Sequence, residues 1–315
     1  MIKKSAEIAL KDCLGLKKNE SLLVITDTIL KDIGKVFFQV GIEIGAEAIY
    51  VEILPRLQDG EEPPKSIANA LLDVDVAIIP TIKSLSHTKA RLEASKKGVR
   101  IATLPGITED ILTRTMNVDY YEVKEISEKI SIILTRGKNV HVYTDTGTDI
   151  TFSITGRSAH SDTGILTSPG AFGNLPAGES YIAPIEGTAN GIIVIDGSLA
   201  GYGLLNRVLK VEVKDGYVES VEGDGSGYLE KIFQRCGKEA RNIAEFGIGT
   251  NPKAKLTGNI LEDEKVMGTV HFAFGNNTTF GGNVYVNSHI DGLVKEPTIE
   301  VDDKIIMNKG IFNIE

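Results

Sequence analysis

The stretch SLLVITDTILKDIGKVFFQVGIEIGAEAIYVEIL, residues 21–54, decides the fold of the first half of this chain. It holds an apolar run, SLLVITD, then a segment of helical period, ILKDIGKVFFQVGIEIG, then a second apolar run, AEAIYVEIL. Short apolar runs separated by an amphipathic helix are what a βαβ unit around a buried parallel sheet requires. The alternation continues through SIANALLDV, DVAIIPT, HTKARLEASKKG and VRIATLP, to about residue 115. The link SLLVITDTILKDIG lacks G-x-G-x-x-G and no Walker sequence occurs, so the alternation brings no nucleotide site with it.

Outward from that stretch, VDYYEVKEISEKISIILTRG places Val123, Ile126, Ile130 and Ile133 at helical spacing and predicts a helix bridging two domains. From Asn139 the character changes. HVYTDTGTDITFSITG and VLKVEVKDGYVESVEG alternate apolar and polar residues around Gly-containing turns, the pattern of antiparallel hairpins. One helix, GYLEKIFQRCGKEARNIAEFG, interrupts the strands before they resume at Val270. A chain of 315 residues also exceeds what one core ordinarily serves. The expectation is a Rossmann-like α/β domain over 1–136 and an α+β domain, mostly antiparallel, over 137–315.

Composition narrows the partners. A net charge of −9, no Trp and 6% aromatic residues supply neither the basic stripe nor the stacking platforms that nucleic acid needs. Charges run through the first twenty residues, so no secretory or membrane-spanning segment is expected there. Only Cys13 and Cys236 are present, which excludes a disulfide framework or a Cys-based zinc site and suggests a cytoplasmic setting.

The chemistry-bearing residues gather late in the chain. His271 lies in EKVMGTVHFAFG, and His289 and Asp291 lie in VNSHIDGLV, both read as strands. Side chains at i and i+2 leave one face of a strand, so His289 and Asp291 aim at one point. Two imidazoles and a carboxylate suit zinc, Fe(II), manganese or cobalt. Taken singly, each histidine also fits a satisfied strand-end residue, and Asp291 fits a turn before Gly292; the combination points to metal. Glu179 falls in FGNLPAGESYIAP, on an expected irregular loop beside a strand, where ligands are often held. Glu245, in NIAEFGIGTNP, is expected to close the helix, where the macrodipole disfavours an anion. Metal, or a salt bridge to Arg241, would answer that. Glu264 stands in an acidic turn with Glu262 and Asp263, which are expected at the surface; Glu264, nearest the His271 strand, could supply a ligand or a proton acceptor. His87, in SLSHTKARLEA, is expected to open a helix capped by Ser84 or Ser86, at the carboxyl edge of the parallel sheet where open α/β sheets bind ligands. His141 and His160 are read as structural.

With Glu179, Glu245, His271, His289 and Asp291 in this order, the second half resembles the thermophilic metallo-aminopeptidases, the family of aminopeptidase T and aminopeptidase S. The matching pieces are NLPAGESYIAP, AEFGIGTNP, DEKVMGTVHFAFG and SHIDGLV, roughly residues 170 to 295. The resemblance implies that those five residues bind a pair of divalent metals (zinc, cobalt or manganese). It also implies removal of N-terminal residues from short peptides by a homodimer. A metal-activated water would attack the peptide carbonyl, with Glu245 or Glu264 accepting its proton and His87 orienting the substrate. Two departures stand out. The family's DEN is here DEK, which places Glu264 seven positions before His271, and a tyrosine of the peptidases is replaced by Thr278.

The shorter chain and SLSHTKARLEASKKGVR are similar to the related 2,5-dihydroxypyridine 5,6-dioxygenases, which share the scaffold and use one Fe(II). That resemblance implies a facial triad of His271, His289 and Asp291, with His87 as an acid/base histidine. A non-catalytic protein with a structural metal cluster is the third possibility. The leading expectation is a metallo-aminopeptidase.

Overall fold

The computed structural model describes residues 1–314, which form two compact units. Unit 1 comprises Met1–Lys124 and Asp162–Ala177; unit 2 comprises Glu125–Ser161 and the chain from Gly178 onward. The division falls inside the helix Tyr120–Arg136 rather than near residue 136, because Ile130 and Leu134 are buried in the core of unit 2.

Unit 1 is built on a five-stranded parallel sheet in the order Glu47–Ile53, Ser21–Asp27, Val76–Ile79, Arg100–Thr103, Phe172–Asn174. The strand Ser21–Asp27 is buried from Leu22 to Asp27, as a strand covered on both faces must be. The helix Lys31–Ile44 approaches it closely at Gly41, where a Cβ would run into the Leu22 side chain. At the carboxyl edge, Asp27 accepts hydrogen bonds from the amides of Ile29, Leu30 and Ile82, tying two crossover loops together.

Unit 2 contains two antiparallel sheets. The larger has eight strands and includes the expected hairpins Asn139–Tyr143 with Asp149–Ser153, and Leu209–Lys214 with Tyr217–Gly223. The smaller has seven, in the order Gly203–Leu204, Ser198–Leu199, His289–Lys295, Thr269–Gly275, Ile243–Gly249, Glu179–Ile182, His160–Asp162. Phe152 of the larger sheet meets Phe246 and Phe272 of the smaller, with ring centroids 5.2 and 6.1 Å apart, so the two sheets share one apolar core. The fold class is therefore the expected one: a parallel α/β sheet followed by an α+β, mostly antiparallel unit.

Several local expectations differ. The helix of the second half ends at Cys236, a short 3-10 turn follows over Lys238–Arg241, and Glu245 lies within the strand Ile243–Gly249. Gly237 breaks the helix, and IAEFGIG alternates with a period of two. Arg241 pairs with Glu230, at 2.7 Å. Glu262 and Asp263 are fully buried, because their carboxylates receive the backbone amides of Lys255, Thr257 and Gly258. Among the described residues no helix is long and apolar enough to cross a membrane.

Candidate metal centre

Strand register explains why the candidate ligands meet. Directly paired residues of an antiparallel sheet share a face. Glu245 pairs with Ala273, and Ala273 with Asp291, which sets the two carboxylates on either side of a small residue. His271 pairs with Gly247, His289 with Gly275, and Glu179 with Gly249. All five side chains therefore leave one face of the smaller sheet, and the small residues between them leave room for the imidazoles. Phe246, Ile248, Val270, Phe272 and Phe274 fill the opposite face, which is core. Gly247 is required here: a Cβ on it would land on the His271 ring.

The two imidazoles converge. His271 Nε2 lies 3.4 Å from Glu245 Oε1 and His289 Nε2 lies 3.1 Å from Glu245 Oε2. Asp291 Oδ1 is 3.5 Å from His289 Nε2, and Glu179 Oε2 is 3.5 Å from His271 Nε2. Ligand atoms of Glu245, His289 and Asp291 all fall within 4.8 Å of one another. His271 joins this trio through Glu245.

His289 is held from behind. Its Nδ1 is 2.8 Å from the Asn276 carbonyl, which can only accept, so Nδ1 carries the proton and Nε2 faces the cluster. A histidine oriented in this way is typical of metal sites. Phe280 packs edge-on against the ring, with centroids 5.7 Å apart.

Electrostatics describe a pocket seeking positive charge. Burial alone would raise the Glu245 pKa, but hydrogen bonds and charge from both histidines hold it well below the usual carboxylate range. Burial opposes protonation of His271, yet Glu245, Glu179 and Asp291 outweigh it and lift its pKa to about 9. His289 is likewise driven well above its ordinary value against burial, by Asp291 and Glu245. Glu264 moves the other way for a carboxylate: burial, helped by the charges of Glu179 and Asp291, raises it to about 8 despite Lys265 beside it. Protons on the imidazoles thus answer the carboxylates, and a divalent cation can take their place. Glu179 Oε2 is buried without a hydrogen-bond partner, a further acceptor left open to a cation. The donor set fits a divalent metal.

Not every candidate joins the cluster. Glu179 opens the strand Glu179–Ile182 instead of lying on a loop, and shares the site. Glu264 caps a short helix, Ile260–Asp263, and bonds Lys265. His87 lies in an exposed turn of unit 1, and the helix after it is capped by Thr88, whose hydroxyl receives the Arg91 amide, in place of Ser84 or Ser86. Thr278 donates its hydroxyl to Asn276 Oδ1 within the loop behind His289. His141 pairs with Asp149, and His160 stacks on Tyr181. Sequence reasoning missed Gly247, Asn276 and Lys265. Of these only Gly247 left a trace, a glycine inside a strand pattern, which marks a close approach.

Comparison with known proteins adds the following. A family model described as NicX, 2,5-dihydroxypyridine 5,6-dioxygenase, matches residues 10–313. The 2,5-dihydroxypyridine 5,6-dioxygenase of Pseudomonas putida is 23% identical over 257 residues, covering 77% of this chain and 72% of the relative. The solved structure of a 2,5-dihydroxypyridine dioxygenase from the same organism superposes with a TM-score of 0.84 at 19% identity, covering 99% of this chain and 96% of the other. AmpT from Thermus thermophilus superposes with a TM-score of 0.76 at 16% identity, covering 99% of each chain.

Proposed function

This chain belongs to the NicX family of 2,5-dihydroxypyridine 5,6-dioxygenases, and from that premise we propose that it opens a dihydroxylated pyridine ring with molecular oxygen at a single Fe(II). The match over residues 10–313 carries the reading. In such a reaction both oxygen atoms enter the product, one on each carbon of the broken ring bond, and no outside reductant is needed. His271, His289 and Asp291 supply the two-histidine, one-carboxylate donor set, and Fe(II) bound there would offer open positions to a ring hydroxyl and to oxygen.

The chain's own groups do the rest. The Asn276 carbonyl keeps His289 Nε2 directed at the centre. Glu245, between the two imidazoles, holds both Nε2 atoms toward the centre. Phe280, edge-on to His289, gives the centre an apolar flank suited to a flat ring. Gly247 makes room for the His271 ring, which lies directly over it.

A second reading, metallo-aminopeptidase, is favoured by one observation: Glu179 and Glu245 both flank His271, at 3.5 and 3.4 Å, as a two-ion hydrolase would need. One assay separates them. Protein loaded anaerobically with Fe(II) should consume about one oxygen per 2,5-dihydroxypyridine, with loss of the ring's ultraviolet band. Release of amine from aminoacyl anilides with cobalt or zinc, and no oxygen uptake on the pyridine, would overturn the dioxygenase reading in favour of the peptidase.

A further inference from the structure

Lys265 is 1% exposed and ranks among the largest fully buried side chains of the protein. Burying an ammonium is unfavourable unless carboxylates answer it. Here two do. Its Nζ lies 2.7 Å from Glu179 Oε1 and 2.5 Å from Glu264 Oε1. These carboxylates border the metal centre but stand apart from the tight group of Glu245, His289 and Asp291. The other oxygen of Glu179 is buried, lacks a hydrogen-bond partner and lies 3.5 Å from His271 Nε2. The pocket therefore has two places for positive charge, and a side chain of the protein already occupies one.

We propose that Lys265 stands in for a second metal ion: its ammonium fills the cation position between Glu179 and Glu264, so the centre accepts one divalent ion and excludes another. The proposal rests on the reading that His271, His289 and Asp291 hold an ion. Two arguments support it. A divalent ion binds carboxylate oxygens at about 2.0–2.6 Å, so an ion bridging Glu179 and Glu264 would fall where Nζ lies. The ammonium also repels any second cation, and at short range within a buried pocket that repulsion is weakly screened. The position is specific to this residue. Lys265 directly follows Glu264, and the turn after the helix Ile260–Asp263 directs it inward to Glu179, 86 residues away in sequence.

A neutral residue at this position would leave Glu179 and Glu264 facing each other with no cation between them, a site where a divalent ion binds by displacing any proton that Glu264 holds. The test is metal stoichiometry by plasma emission after equilibrium dialysis of the full-length protein against Mn(II). Wild type should bind about one ion per chain and Lys265→Met about two, while Lys265→Arg, which keeps the charge, stays at about one. The double variant Lys265→Met/Glu179→Gln should return to about one, since it removes a ligand of the new site. Lys265→Met remaining at one ion overturns the proposal and leaves the dioxygenase reading standing. Wild type binding two ions overturns the proposal even if no variant folds. Wild type binding none removes the metal-centre reading, and the proposal with it.

Discussion

Gly247 shows how much one hydrogen atom in place of a methyl group can decide. It pairs with His271, and a Cβ there would coincide with the imidazole. Gly247→Ala should push the ring off its line to Glu245, weaken metal binding on the order of 10–100-fold and cost about 1–3 kcal/mol of stability. Metal titration and a denaturant melt of the variant check both; unchanged affinity would mean that His271 does not hold the ion. A second expectation follows from charge. In the metal-free chain the pKa of His271 is about 9, so near neutral pH the ring carries a proton that metal must displace. Metal affinity should therefore fall as pH falls, with protons released on binding. Isothermal titration in buffers of different ionisation heat counts them. At this scale the sequence was partly legible. His289 and Asp291 are set by the i, i+2 rule on a strand, whereas Lys265 looks like one more charge in an acidic turn, and its 86-residue reach to Glu179 leaves no local pattern.

Among the elements, the loop between the strands Thr269–Gly275 and His289–Lys295 governs the aim of His289. Glu186 anchors it from another part of unit 2, accepting from Asn277 Nδ2 at 2.9 Å, from the Asn283 amide at 2.8 Å and from Arg157 at 2.5 Å. Glu186→Ala removes all three contacts and should cost about 1–3 kcal/mol, with faster amide exchange at Asn283 and Val284 and weaker metal binding through Asn276. An intact exchange pattern would show that the loop is held by other means. Burial pushes the Glu186 carboxyl up, but the hydrogen bonds from Asn283 and Asn277 and the Arg157 charge bring it below the ordinary value. A depressed folded pKa stabilises above the unfolded value, and that contribution is lost as pH falls through the folded one, so acid should loosen this loop. The strand bearing Glu245 was misread as helix because GYLEKIFQRC is strongly amphipathic and the break at Gly237 is a single residue. The hairpins and the His271 strand were legible because their alternation is long enough to exclude a helical period.

For the molecule as a whole, the metal centre lies within unit 2, so bound metal should stabilise the fold by mass action. Mn(II) at about 100 times its Kd should add about 2.7 kcal/mol, and chelator should reverse it. Melting curves with and without EDTA measure this, and identical curves would mean that folding and ion capture are unlinked. The change from a parallel to an antiparallel sheet was legible from the change in residue pattern near Asn139, since buried parallel strands and half-buried antiparallel ones leave different signatures. The fifth strand of the parallel sheet, Phe172–Asn174, was not, because three residues carry no periodicity. That strand has a consequence for biosynthesis. Polypeptide crosses between the two units three times, after Lys124, Ser161 and Ala177. A ribosome must therefore deliver the first hairpin of unit 2 before unit 1 receives its last strand, and a fragment stopped at residue 124 would emerge with its sheet one strand short, its Arg100–Thr103 edge bare and open to aggregation.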